Sequence, residues 1–184
     1  MNTLINKLSQ IDIKLLRYIH INRIESLDNF LYFLSYLTTY ITICVFIVLI
    51  IIYLKKRSKK ILNSFLILLS IVLSSSLASF FLKILFSRER PFLTYEEITK
   101  LSQAGSMSFP SGHTTEAFAL AFGISFLFPQ KKFVIPVFIW AILVAYSRMA
   151  LGVHYPFDVL AGILLSLIIA SGIYFFYKKQ NKQI

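Results

Sequence analysis

Five apolar runs, each close to the length needed to cross a lipid bilayer, constrain this chain more than any other feature. They cover residues 30–54, 61–86, 111–128, 133–147 and 157–177. About 20 apolar residues in helical form span the hydrocarbon of a bilayer, and in lipid only helices or closed barrels leave no backbone group unpaired. The third and fourth runs are short, so their helices are expected to extend into flanking residues. Of the 184 residues, 57% are hydrophobic and 15% charged, and the mean hydropathy is +0.73. A water-soluble domain of this size cannot hide so much apolar surface. The expectation is an all-α integral membrane protein with a bundle of five transmembrane helices.

Residues 1–27 differ. Leu4, Leu8, Ile11, Leu15 and Ile19 recur at helical spacing, with Lys7, Lys14 and Arg17 elsewhere on the surface. This pattern predicts an amphipathic helix lying in the membrane interface, a sixth, tilted span being the alternative. The stretch has no continuous apolar core and no small-residue cleavage site, so it does not read as a cleavable signal. The chain is therefore expected to form one domain: an interfacial helix (1–27), a membrane core (28–177) and a basic tail (178–184). Cys44 lies inside an apolar run, where it reads as a small lipid-facing or core residue.

The basic turns set an orientation. The segment 55–60 (KKRSKK), Lys131 with Lys132, and Lys178, Lys179 and Lys182 all fall on one side of a five-span bundle. They hold ten of the nineteen Lys and Arg residues, and such turns stay in the cytoplasm. Residues 87–110 and 148–156 then face outward. The N-terminal helix, with Lys7, Lys14, Arg17 and Arg23, would also lie outside, against the rule. Within the outer loop, residues 95–103 (YEEITKLSQ) suggest a short surface helix. The net charge of +11 does not indicate nucleic acid, because the cations sit in short clusters between apolar runs. The small residues Ser74, Ser75, Ser76, Ala78 and Ser79 in the second run suggest close helix packing.

Three clusters on the expected outer side carry the chemistry: KILFSRERP (83–91), PSGH (110–113) and SRMALGVHYPFD (147–158). Lys83 and Arg90 are two helical turns apart and would share a face of one continuous helix, ended by Pro91. Read alone, Lys83 could simply snorkel, and Arg88 and Glu89 could be a solvated pair. In PSGH, Ser111 can cap a helix, Gly112 lets backbone approach a ligand, and free N–H groups there attract an anion. Pro156 suits a helix start, and His154 and Asp158 are four apart across it. A carboxylate there can fix the imidazole tautomer and leave the other ring nitrogen free. Three cations beside two histidines would repel a metal ion, so no metal or cofactor is expected. Glu116, one turn after His113, could favour the helix dipole, pair with Arg88 or Lys100, or help hold His113 protonated.

The spacing Lys-x6-Arg-Pro, Pro-Ser-Gly-His and Ser-Arg-x5-His-x3-Asp resembles the type 2 phosphatidic acid phosphatase superfamily, lipid phosphate phosphatases related to vanadium haloperoxidases. The match holds at all eleven signature positions and covers about residues 28–177. The resemblance implies metal-independent dephosphorylation through a phosphohistidine. By position it makes His154 the nucleophile, Asp158 its orienting partner and His113 the acid that protonates the leaving oxygen. Lys83, Arg90, Arg148, Ser111 and Gly112 would bind phosphate, with Glu116, Ser147 and Arg88 in support. The implied substrate is a lipid phosphate or diphosphate, handled at the outer face of a bacterial cytoplasmic membrane with no obligate protein partner. Small undecaprenyl diphosphate phosphatases are the nearest likeness, with lipid A 1-phosphatases and phosphatidylglycerophosphate or phosphatidic acid phosphatases as alternatives. A non-enzymatic lipid or anion carrier would use the cations but would not need His113, His154 and Asp158 together.

Overall fold

The computed structural model describes residues 2–105 and 107–181. The helices are α1 (Asn2–Ile21), α2 (Asp28–Tyr36), α3 (Thr38–Lys56), α4 (Lys59–Phe86), α5 (Pro91–Thr94), α6 (Gly112–Leu127), α7 (Lys131–Ala150) and α8 (Pro156–Asn181). Among the described residues, α3, α4, α7 and α8 are each long and apolar enough to cross a membrane by length and composition. Their outward faces stay apolar, as at Leu85 and Phe176, and the Cys44 side chain is also exposed. In water such faces would be a liability; against lipid they are ordinary.

The third run behaves differently from the others. Expected extension occurs in α7, which reaches 20 residues, but α6 stays at 16 and is shorter than a bilayer needs. Instead α6 occupies the centre of the bundle, packed on α3, α4, α7 and α8. Three of its fully buried residues are alanines, Ala117, Ala119 and Ala121, which let neighbouring helices come close. A Cβ on Gly162 of α8 would lie 2.9 Å from Thr115 Oγ1 and 3.0 Å from Ser111 O, which is how tightly α8 approaches the start of α6.

The first run is two helices rather than one. The chain bends at Leu37, where Leu37 N–H still donates to Phe33 O at 2.9 Å and Ile41 N–H to Leu37 O at 2.8 Å. At the bend the Thr38 hydroxyl donates to Ser35 O at 2.8 Å, and such side-chain bonds to the preceding turn bend helices.

A helix forms at the N-terminus, and it is not a bystander on the surface. Its stripe residues Leu8, Ile11 and Leu15 are 43–46% exposed and face away from the protein. The side chain of Leu4 lies outside the described residues. Its other face docks on α7 and α8, burying Asp12, Ile13, Leu16 and His20. Two of the four cations in this N-terminal segment find acidic partners. Arg17 pairs with Glu97 at 2.6 Å and Arg23 with Asp28 at 3.1 Å.

Residues 95–103 do not form the expected surface helix. The helical turn comes earlier, at α5, opened by Pro91. Beyond it, Ile98 is drawn into a cluster with Ile13, Leu16 and Tyr155, and Leu101 N–H donates to Leu151 O at 3.1 Å. These anchors to distant segments override local helical propensity. At the other end of the chain, Lys178 and Lys179 are not a separate tail but the last turn of α8, and Lys182 lies outside the described residues.

Candidate active site

The three charged clusters meet at one end of the bundle, hereafter the motif end, around a cavity of about 860 Å³. Lys83, Arg90, Gly112, His113, Arg148 and His154 all line it. Lys83 and Arg90 arrive there by a route the spacing did not predict. Helix α4 ends at Phe86, and Ser87 takes a left-handed φ of 43°, so the two cations do not share a continuous helix. Pro91 starts a helical turn instead of ending one, with Arg90 just before it.

The loop after α5 holds all three cations through its carbonyl groups. Lys83 Nζ donates to Pro110 O at 2.6 Å and to Met107 O and Ser108 O, both at 3.3 Å. Arg90 Nε donates to Gly105 O at 2.6 Å and its Nη1 to Val153 O at 2.7 Å. Arg148 Nη2 donates to Gln103 O at 3.3 Å, and its Nη1 donates to the hydroxyls of Ser35 and Ser102. Arg148 Nε is buried and has no hydrogen-bond partner among the described residues. Leaving a buried guanidinium donor unmatched costs about 1–3 kcal/mol, which an anion in the cavity would recover. Gly112 leaves room for such a group: an added Cβ would meet only Lys83 Cε, at 3.9 Å.

His154 has a defined tautomer. Its Nε2 lies 3.1 Å from Arg90 Nη1, and a guanidinium has no acceptor, so Nε2 carries the lone pair. The proton therefore sits on Nδ1, which faces Asp158 Oδ2 at 3.4 Å and the Ser108 hydroxyl at 3.5 Å. Burial pulls the His154 pKa down to about 3, more than the hydrogen bond to Asp158 pulls it up. The result is a neutral imidazole whose unprotonated nitrogen accepts from Arg90 at the edge of a cationic cavity.

Asp158 lies behind the histidine, fully buried, at the third position of α8. Its Oδ2 accepts from Tyr155 N–H at 2.9 Å, as the acid of a capping box does, and from the Ser108 hydroxyl. Its Oδ1 accepts from Arg88 Nη1 at 2.7 Å. Arg88 is thus no solvated partner of Glu89. Its other arm donates to Asp12 Oδ2 at 2.7 Å, and its guanidinium lies 3.7 Å from the centre of the Tyr155 ring. Asp12 completes the arrangement by accepting from Phe157 N–H at 2.9 Å, an N–H at the start of α8 that has no helical partner. Burial raises the Asp12 pKa, while Arg88 and the Phe157 N–H oppose the rise.

Three supporting expectations are corrected. Ser111 precedes α6 as expected, but its side chain caps no backbone N–H and does not line the cavity. Its hydroxyl accepts from Thr114 at 2.8 Å and its N–H donates to Asp158 O at 3.0 Å. Ser147 is turned into its own helix, donating to Val144 O at 2.6 Å. Glu116 does line the cavity, but it pairs with neither Arg88 nor Lys100. It accepts from the Thr39 hydroxyl at 2.9 Å, while Lys100 lies over the Phe92 ring.

Asp12, Ser35, Thr39, Ser102 and Ser108 were not singled out from the sequence. Asp12 alone carried a signal, as the one acid before Glu25 in a basic helix. The others are ordinary hydroxyl residues until the fold brings them to the cations.

A profile of the PAP2 superfamily matches residues 64–182. A lipid A 4'-phosphatase of Porphyromonas gingivalis is 31% identical over 156 residues, covering 82% of this chain and 66% of its own. An undecaprenyl-diphosphatase of Sulfolobus acidocaldarius is 32% identical over 156 residues, covering 84% of this chain and 72% of its own. Across three curated relatives the chain spans from 34% to 66% of their length. The crystal structure of Aquifex aeolicus LpxE superposes with a TM-score of 0.76 at 27% identity, covering 89% of this chain and 94% of that one. With the signature residues gathered around one cavity and the profile matched over most of its helices, this chain belongs to the PAP2 superfamily.

Proposed function

We propose that this protein is a membrane lipid phosphatase that works through a phosphohistidine on His154. The observation that carries this reading is the Nε2 lone pair of His154, facing Arg90 at 3.1 Å inside a cavity that three cations line. Phosphoryl transfer needs mostly positioning and positive charge, and both are present. Nε2 attacks phosphorus, the N–P bond forms and the bond to the leaving oxygen breaks. Burial and the cations Arg148, Arg90 and Lys83 lower the His113 pKa to about 3. His113 therefore takes up a proton as the negatively charged phosphate binds beside it, and then gives that proton to the leaving oxygen. Asp158 stabilises the cationic imidazole through Nδ1. Water then attacks phosphorus, His113 takes its proton, the N–P bond breaks, and inorganic phosphate leaves. Lys83, Arg90, the free Nε of Arg148 and the Gly112 backbone would hold the phosphoryl oxygens.

The substrate is a lipid whose tail stays in the bilayer while its phosphate or diphosphate enters the cavity. The names of the relatives point to lipid A, undecaprenyl diphosphate and phosphatidylglycerophosphate as the chemistries to try. The motif end faces the cell exterior, supported by the three lysine-bearing turns at the opposite end.

The test is trapping of acid-labile phosphoenzyme from radiolabelled lipid phosphate, in excess EDTA. Wild type is expected to label and His154→Ala to lose both label and turnover. His113→Ala is expected to slow a lipid alkoxide leaving group far more than an aryl one, by as much as about 10²–10⁴-fold. Label persisting in His154→Ala would refute the assignment.

A further inference from the structure

Besides the cations and histidines, the cavity is lined by Thr39 of α3, Ser76 and Ser79 of α4, and Glu116 of α6, with Ser79 one turn before Lys83 on α4. A carboxylate beside a phosphate-binding cluster weakens anion binding unless it faces a different part of the ligand. Glu116 lies three residues after His113, so the two share a face of α6 and Glu116 is one turn further from the motif loop. The proposed leaving-group acid is thus followed along the cavity by a carboxylate. One of its oxygens accepts from Thr39 at 2.9 Å, and the other makes no hydrogen bond among the described residues. On the same cavity, Ser79 is 3% exposed and its hydroxyl has no hydrogen-bond partner among the described residues. A buried hydroxyl without a partner is unusual enough to require an explanation, and a ligand group supplies one. The cavity volume is that of a whole headgroup, not of one phosphate.

We infer that Glu116, positioned by Thr39 and sharing the cavity with Ser79, reads the leaving group, favouring a lipid with a hydroxyl beside the scissile bond over one with a second phosphate there. The inference rests on the phosphatase reading above. A hydroxyl can donate to the free oxygen of Glu116 and accept from Ser79, which satisfies both. A second phosphate in the same place meets like charge and offers Glu116 no donor. Sites built to hydrogen-bond a substrate hydroxyl discriminate strongly, because their own buried groups are stranded when it is missing.

The test compares kcat/KM for phosphate release from phosphatidylglycerophosphate, whose leaving group has a neighbouring hydroxyl, and from undecaprenyl diphosphate. Purified full-length protein in detergent is used for both. Wild type is expected to prefer the first lipid. Glu116→Gln is expected to raise kcat/KM on the diphosphate about tenfold and to lower it on the hydroxyl lipid about threefold. Ser79→Ala, a smaller change within a helix, is expected to lower the hydroxyl lipid alone, by about threefold. An unchanged ratio in both variants, with release intact, overturns this inference and leaves the phosphatase reading standing. A wild type that prefers the diphosphate overturns it equally. No release from either lipid by wild type overturns the phosphatase reading, and the inference with it.

Discussion

At the motif end, α1, the loop after α5 and the start of α8 are joined by directional bonds. Asp12, Arg88 and Asp158 form a chain of contacts at 2.7 Å each, and His154 stands at its end. At the lysine end, α4, α6 and α8 meet through Leu68, Ile71, Leu120 and Ala170, with Val45, Phe65 and Phe126 around them. Polar contacts there include Asn63 donating to the Tyr177 hydroxyl at 3.0 Å, while Phe126 stacks on Tyr174. Apolar packing has no preferred direction and yields by small repacking. A buried ionic network has strict geometry, and removing one member leaves another charge stranded. Damage at the motif end should therefore reach the chemistry, whereas damage at the lysine end should reach stability alone.

The largest effect that tests this contrast is expected from Asp12→Asn. The change keeps shape but strips charge from the Arg88 bridge and weakens the cap on Phe157 N–H. A displacement near 1 Å at His154 is enough to lower kcat about 10²-fold. The fall should appear in kcat rather than KM, because Asp12 does not line the cavity. Steady-state kinetics on one lipid checks this, and an intact kcat would place α1 outside the machinery that orients His154.

Gly152→Ala should come next. Gly152 has φ +71°, and a Cβ there would lie 2.3 Å from Thr99 O. The backbone strain alone costs about 1–3 kcal/mol. The neighbouring Val153 carbonyl, which holds Arg90, would be displaced with it. Loss of both thermal stability and activity is expected, measured by unfolding in detergent and by phosphate release.

The control at the other end is Leu68→Ala. Leu68 is fully buried against α6, and its loss should cost about 2–5 kcal/mol of stability. Activity at low temperature should stay within about twofold, since distant sites couple weakly. A drop in kcat as deep as that of Asp12→Asn would erase the distinction between the two ends.

The smallest expected effect is a pH dependence through His20. Its Nδ1 donates to Ala150 O at 2.8 Å, and its Nε2 accepts from Thr99 N–H at 3.2 Å and from the Thr99 hydroxyl at 3.0 Å. Only a neutral ring can do both, and burial lowers the pKa below 6.5. Below pH 6.5 the unfolded chain binds the proton that the folded one refuses, so stability falls as pH falls. Thermal unfolding followed from about pH 7 to about pH 5 should show that slope in wild type and a weaker one in His20→Gln. Equal slopes would remove His20 from the account.

Much of the site was readable in the chain because its signals are local. Pro156 and Asp158 describe the start of α8 within one turn, and hydropathy places the long helices from windows of about 20 residues. Local patterns fail where other parts of the fold intervene. The spacing of Lys83 and Arg90 predicts a shared helix, but Ser87 turns the chain first. Residues 95–103 suggest a helix, but Ile98 packs with Ile13 and Leu16 of α1. The first apolar run shows no break in its hydropathy because the junction at Leu37 keeps its backbone hydrogen bonds.

The sequence alone determined the membrane class, the apolar helices and the three clusters of charged residues, because each depends on residues close together in the chain. Only the tertiary structure decided that Asp12 reaches Phe157 and Arg88, that one loop's carbonyls hold three cations, and that Glu116 turns to Thr39. Those partners are 77 or 145 residues apart in the cases of Glu116 and Phe157, and no local rule relates them. They are brought together by the packing of apolar helix faces, which is blind to the charges it carries, and burial then requires each charge to find the partner within reach.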